Sequence, residues 1–124
     1  MNNNIEIITI DPQVDGDLYL KEKRIRLDIL LLPTGRTEWW GRDSISKHIQ
    51  AVSNNDIVGC VLLVLGNDER NKKTAVLCQM AVLEPFRSQG IGKKLVAKCE
   101  QIGREDGMER ICLHARATAV GFYE

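Results

Sequence analysis

Hydrophobic and polar positions change period several times along this chain, and each change marks an element. Ile5–Ile10 (IEIITI) alternates and is β-branched, which predicts a strand. Asp15 or Asp17 then caps a predicted helix reaching about Leu31, with Leu18, Ile25, Ile29 and Leu32 on one face. PTGRTEWWGRDS carries a proline and two glycines and reads as a loop. KHIQAVS and DIVGCVLLVLG read as two strands joined at the turn signal NND. After the polar stretch GNDERNKK, TAVLCQMAVL is a further strand. Ile91, Leu95, Cys99 and Ile102 recur at three- and four-residue spacing, predicting a helix from about Gln89 to Glu105, and Gly107 stands where a helix stops. ERICLHAR predicts another strand, and ATAVGFYE opens a last helix. No repeat or linker interrupts this order, so residues 1–124 are expected to form one α/β domain.

Charge narrows the function classes. Seventeen basic residues balance seventeen acidic ones, so no global field points to nucleic acid or to an anionic membrane. Apolar runs such as Ile29–Pro33 and Ile57–Leu65 are too short to span a bilayer, and MNNNIEI lacks the pattern of a secretory signal. The expected location is the cytoplasm. Cys60, Cys78, Cys99 and Cys112 are widely spaced inside apolar patterns, which predicts four buried free thiols. Cys112 and His114 could share a strand face but lack a third ligand nearby, so no metal is expected.

The candidate chemistry lies in AVLEPFRSQGIGKKLVAKC, where a strand passes through a proline into a glycine-containing turn and a helix. A helix N-terminus offers unpaired N–H groups and the positive end of its dipole, and glycines let an anion approach the backbone. Arg87, Ser88, Gln89, Gly90, Ile91 and Gly92, with Lys93 and Lys94 adding charge, form a candidate cradle for a phosphate or pyrophosphate. A tight strand-to-helix turn that needs glycine only for its geometry explains the glycines equally well. Neither a P-loop nor a dinucleotide-binding motif fits, because glycine is missing at Arg87 and Leu95 respectively.

What stands there is Arg87-x-x-Gly90-x-Gly92 after Val82 and Pro85, and downstream comes Ala119-Val120-Gly121-Phe122-Tyr123-Glu124. These stretches resemble the GNAT family of acetyl-CoA-dependent N-acyltransferases, most of all its small ElaA-like and YjcF-like members. The resemblance covers roughly residues 57 to 124, and Arg116 departs from the asparagine common seven residues before the tyrosine. It implies an α/β (α+β) fold with a central mixed, mostly antiparallel sheet flanked by helices. It implies acetyl-CoA as cosubstrate, with the main chain of Met80, Ala81 and Val82 along the pantetheine arm and the amides from Arg87 to Lys93 on the pyrophosphate. A neutral amine would attack the thioester directly in a ternary complex, a backbone amide near Val82 would face the oxyanion, and Tyr123 would protonate the leaving thiolate.

Three further expectations follow. Candidates for a general base are His48, His114, Glu38, Asp43 and Gln79, the last as a residue orienting a water, beside a water wire with no single base. Trp39 or Trp40 would wall an acceptor pocket whose charge Arg36, Glu38, Arg42 or Asp43 sets; equally, one tryptophan plugs the core and the other lies on the surface. Family members usually continue beyond FYE with further strands, so an uncovered edge at Ile111–His114 predicts a homodimer or higher oligomer and low or absent turnover. The function classes are therefore an N-acetyltransferase with a small-molecule or peptide amine acceptor, a catalytically weak or inactive CoA-binding module, and a nucleotide-binding protein using the same cradle.

Overall fold

The computed structural model describes residues 5–34, 43–67 and 72–113. Five strands, β1 (Ile5–Ile10), β2 (Lys47–Ser53), β3 (Asp56–Asn67), β4 (Lys73–Val82) and β5 (Arg110–Leu113), form one sheet in sequential order. β1 through β4 pair antiparallel, and β5 joins β4 in parallel, which gives the mixed, mostly antiparallel sheet of the resemblance. Helix α1 (Gly16–Arg26) connects β1 to the β2 region, and α2 (Ile91–Glu105) is the crossover between the parallel pair.

Local chemistry explains the junctions. Ser53 pairs with Asp56, so Asn54 and Asn55 are the hairpin turn, both at positive φ (52° and 66°), as asparagine tolerates in a primed turn. At the end of α2, Gly107 adopts φ 72°; its N–H bonds the Arg104 carbonyl, and that of Met108 bonds the Gly103 carbonyl. That pair of bonds is a Schellman stop, with glycine at the left-handed position.

The two faces of the sheet carry different cores. Ile49, Ala51, Val61, Leu63, Ala75, Leu77, Met80 and Val82 pack against Ile91, Leu95 and Cys99 of α2. On the opposite face, Ile57, Cys60 and Ala81 meet Ile25 of α1 and Leu30. β2 is therefore covered on both sides, with His48 and Gln50 fully buried between Lys47 and Ser53.

Three sequence expectations need correction. The first helix keeps α geometry only to Arg26; Leu27–Leu31 form a π-helical turn closed by the Leu32 N–H on the Leu27 carbonyl, followed by a 3₁₀ turn at Leu32–Thr34. The wider turn breaks the 3.6-residue spacing, so Leu30 and Leu31 go inward and Leu32 is left 59% exposed. The second helix begins at Ile91, because Ser88 and Gly90 have positive φ and cannot belong to it. Cys60, Cys78 and Cys99 are buried free thiols, but Cys112 is exposed on the outer strand β5.

Candidate functional site

β4 is irregular where it approaches the turn. Cys78 pairs with Leu62 and Ala81 with Cys60, so Gln79 and Met80 oppose Val61 alone. The extra residue is a β-bulge, and Gln79 takes φ 53°, an uncommon backbone state for a non-glycine residue inside a strand. The bulge shifts the alternation: Ala75 and Leu77 face α2 before it, Met80 and Val82 after it. Met80, Ala81 and Val82 thus have buried side chains, and main-chain groups remain as what they could offer a ligand.

Beyond Val82 the chain makes a 3₁₀ turn at Glu84–Phe86 and then the glycine turn. Arg87 donates its N–H to the Glu84 carbonyl and its Nε–H to the Val82 carbonyl at 3.0 Å, tying the turn to the end of β4. Ser88, Gln89, Gly90 and Lys93 are exposed, whereas Ile91 and Gly92 are buried. Gly90, at φ 77°, is the N-cap of α2 and accepts from the Lys94 N–H. The N–H groups of Ile91, Gly92 and Lys93 therefore have no partner within the helix. The first turn holds no acidic residue and contains Lys93 and Lys94. Such a set of donors and positive charge favours an anion over a cation. Gly59 brings the helix start close: a Cβ there would lie 3.2 Å from the Ala81 carbonyl oxygen and 3.3 Å from Ile91 Cγ2.

A buried charged cluster stands on the α1 side. Arg26 donates to Glu22 Oε2 (3.1 Å) and, through both terminal nitrogens, to Asp43 Oδ1 (2.8 Å) and Oδ2 (3.0 Å). The Tyr19 hydroxyl also donates to Asp43 Oδ2 at 2.6 Å, and Gln50 Nε2 donates to Glu22 Oε1 at 3.2 Å. His48 Nδ1 lies 2.7 Å from Glu22 Oε2, and Nε2 lies 2.9 Å from the Asp43 carbonyl oxygen. A carboxylate and a carbonyl both accept, and only the imidazolium carries two N–H donors. His48 is accordingly charged, and among the described residues two cations, Arg26 and His48, face two carboxylates, Glu22 and Asp43.

Titration follows from these partners. Burial acts to lower the His48 pKa, but the Glu22 hydrogen bond, the Asp43 carbonyl and the two negative charges outweigh it and raise it. Burial, then the bond to Asp43, pushes the Tyr19 hydroxyl up to about 12, and burial drives the Cys60 thiol up. With the folded His48 pKa above the unfolded one, its stabilisation is complete below the unfolded value of about 6.5 and is lost as pH rises through the folded value. We expect wild-type stability in urea to fall as pH is raised from about 6 to 7, below the range where unfolded thiols ionise. His48→Gln should flatten that slope; an equal slope in wild type and variant would remove the charged histidine.

Of the base candidates, His48 and Asp43 come together in this cluster, and Gln79 touches it through Arg26, whose second terminal nitrogen lies 3.5 Å from Gln79 Oε1. Tyr123, His114, Trp39, Trp40, Arg36, Glu38 and Arg42 lie outside the described residues. Glu22, Arg26, Gln50, Tyr19 and Gly59 were not singled out from the sequence. Glu22 did leave a signal, since it falls in the same helical stripe as Leu18, Ile25 and Ile29.

Comparison with known proteins bears on the family and the fold. The model of the acetyltransferase (GNAT) family matches residues 17–124. An uncharacterized protein of Bacillus subtilis (strain 168), YyaT, is 39% identical over 78 residues, 63% of this chain and 49% of that protein. The chain spans about half the length of the curated relatives it matches. An aminoglycoside acetyltransferase from an uncultured soil metagenomic sample shares the fold at TM-score 0.77 and 22% identity, over 96% of this chain and 84% of that one. A predicted acetyltransferase of Clostridium acetobutylicum, solved with acetyl-CoA, matches at TM-score 0.70 and 17% identity, over 97% of this chain and 86% of that one. A family match over most of the sequence, on a fold shared with solved acetyltransferases, settles the relationship: this chain belongs to the acetyltransferase (GNAT) family.

Proposed function

We propose that the chain, acting as a single domain, binds acetyl-CoA and transfers its acetyl group to the amine of an acceptor by direct attack in a ternary complex. The observation that carries this reading is the bulged strand β4 running into a turn whose helix presents unpaired N–H groups at Ile91, Gly92 and Lys93 beside two lysines. Ser88 through Lys93 would hold the pyrophosphate by main-chain donors. Arg87 has its own N–H and Nε–H engaged, so it would contribute by fixing the turn and by its remaining charge. The main chain of Met80–Val82 would line the pantetheine arm.

Acetyl-CoA supplies the activated acyl group, and the protein supplies position and polarity. A neutral amine attacks the carbonyl carbon, the C–N bond forms as the C–S bond breaks, and the proton lost by the amine is balanced by the one gained by the thiolate. Tyr123 is the proposed proton donor to that thiolate. Because a thiolate is already a good leaving group, Tyr123→Phe is expected to lower kcat only about tenfold. Acetyl-CoA affinity should stay unchanged; full kcat where chemistry limits the rate would exclude the role.

The acceptor is proposed to be a small-molecule or peptide amine, and aminoglycosides belong in the first panel because a solved neighbour of the same fold is an aminoglycoside acetyltransferase in complex with sisomicin. The decisive experiment is calorimetric titration with acetyl-CoA and with ATP, followed by thiol release in the presence of sisomicin, spermidine and a peptide N-terminus. Acetyl-CoA binding with amine-dependent thiol release supports the proposal. Binding without release identifies a CoA-binding module, and preference for ATP overturns the assignment.

A further inference from the structure

Gln79 occupies a position whose backbone geometry is uncommon and whose side chain is oriented from behind. It is the extra residue of the β4 bulge, with φ 53°. Non-glycine residues held in such a state persist where the surroundings over-determine them, and they cluster at functional sites. Its side chain is half-buried on the α1 side, where Arg26 lies 3.5 Å from its amide oxygen.

At 3.5 Å that contact is long, and it favours one orientation of the amide. A guanidinium has five donors and no acceptor, so only the oxygen of Gln79 can face it. Arg26 is itself held in place, since Glu22 and both oxygens of Asp43 accept from its two terminal nitrogens. The NH2 end of Gln79 is thereby directed away from the buried cluster, and no described residue accepts a hydrogen bond from it. A group so turned has two donors and no acceptor. It is unable to serve as a base, and it suits an oxygen that gains negative charge.

This inference rests on the proposed acetyl-CoA reading. With the diphosphate at Ser88–Lys93 and the arm along Met80–Val82, Gln79 is the next residue of the strand toward which the thioester end extends. We propose that the side-chain amide of Gln79, oriented by Arg26, is a second hydrogen-bond donor to the thioester carbonyl oxygen and the oxyanion formed from it, beside the main-chain amide expected near Val82. As the amine nitrogen bonds to carbon, the carbonyl electron pair moves onto oxygen and meets the Gln79 N–H. When the pair returns, the C–S bond breaks and the thiolate leaves. Gln79 gives up no proton in either step, and Arg26 acts as the positioning residue behind it.

Two substitutions separate the donor from its scaffolding. Gln79→Met removes both ends of the amide; Gln79→Glu keeps an oxygen for Arg26 but removes the donor. Thermal melting establishes that each variant is folded, and calorimetry with acetyl-CoA should give affinities within about threefold of wild type, since one neutral hydrogen bond is at stake. Difference infrared spectra with acetyl-CoA carrying ¹³C at the carbonyl then report the bond directly. The thioester band should lie lower in bound wild type than in either variant, and thiol release with sisomicin or spermidine should fall about tenfold in both. If the band is the same in wild type and the Glu variant, the donor role is overturned while the acetyl-CoA assignment stands. If wild type does not bind acetyl-CoA, the proposed function fails first and this role with it.

Discussion

Arg26→Met is expected to destabilise the protein by about 3–5 kcal/mol, the usual cost of removing one partner from a buried ion pair. Against a total of about 5–15 kcal/mol for an ordinary domain, that is a large share of the stability. Arg26 and Glu22 are fully buried, and Asp43 is only 11% exposed at its side chain. Without the guanidinium, Glu22 keeps His48 and Gln50, and Asp43 loses the two bonds that Arg26 donates to it. Among the described residues, two carboxylates would then face one imidazolium in a largely buried site. A cycle with Glu22→Leu adds a sharper test. The double variant should be less destabilised than the two single changes summed, because the second substitution removes a charge that the first left without its partner. Chemical denaturation of the four proteins measures both quantities. A loss under about 1 kcal/mol for Arg26→Met would show that the cluster is solvated and weakly coupled.

The sequence made the periodic parts of this structure legible. Strands β1 to β5, the hairpin at Asn54–Asn55 and the body of α2 follow from alternation, turn residues and three- and four-residue spacing. Where periodicity fails, the structure departs from it. The π turn at Leu27–Leu31 arises in a run so apolar that every register looks buried, so the face carrying Leu32 was misplaced. The bulge at Gln79 leaves no composition signal either, because CQMAV alternates no better in one register than in the other. The turn between β4 and α2 was legible because Pro85, Gly90 and Gly92 punctuate the passage from an apolar run to a helical spacing. The buried cluster was not, since its members come from α1, the 3₁₀ turn at Asp43–Ile45 and β2, and only folding makes them neighbours. A histidine on an apolar strand reads as structural; the acceptors facing both of its ring nitrogens are visible only in three dimensions.

Gly90→Val should weaken acetyl-CoA binding about 100-fold while leaving a folded protein, and the reason is backbone conformation rather than space. A Cβ at Gly90 would have nothing within 4 Å, so no clash drives the effect. The residue sits at φ 77°, where an L side chain costs roughly 1–2 kcal/mol and a β-branched one more. The chain relieves that cost by rotating the N-cap to negative φ, and this re-aims the N–H groups of Ile91, Gly92 and Lys93 together. Each N–H to a charged oxygen is worth about 1.5–3 kcal/mol, so losing good geometry at even two of them reaches about 3 kcal/mol, or 100-fold in Kd. Stability should fall by only about 1–2 kcal/mol, because α2 keeps Ile91, Leu95 and Cys99 in the core. Gly103→Ala is the matched control: its Cβ would meet Ala75 and Met108 at an ordinary 3.8 Å, on the same helix but away from the turn. Calorimetric Kd values for wild type and the two variants, beside their melting temperatures, make the comparison. A folded Gly90→Val protein that binds acetyl-CoA within about threefold of wild type would move the diphosphate away from the N-terminus of α2.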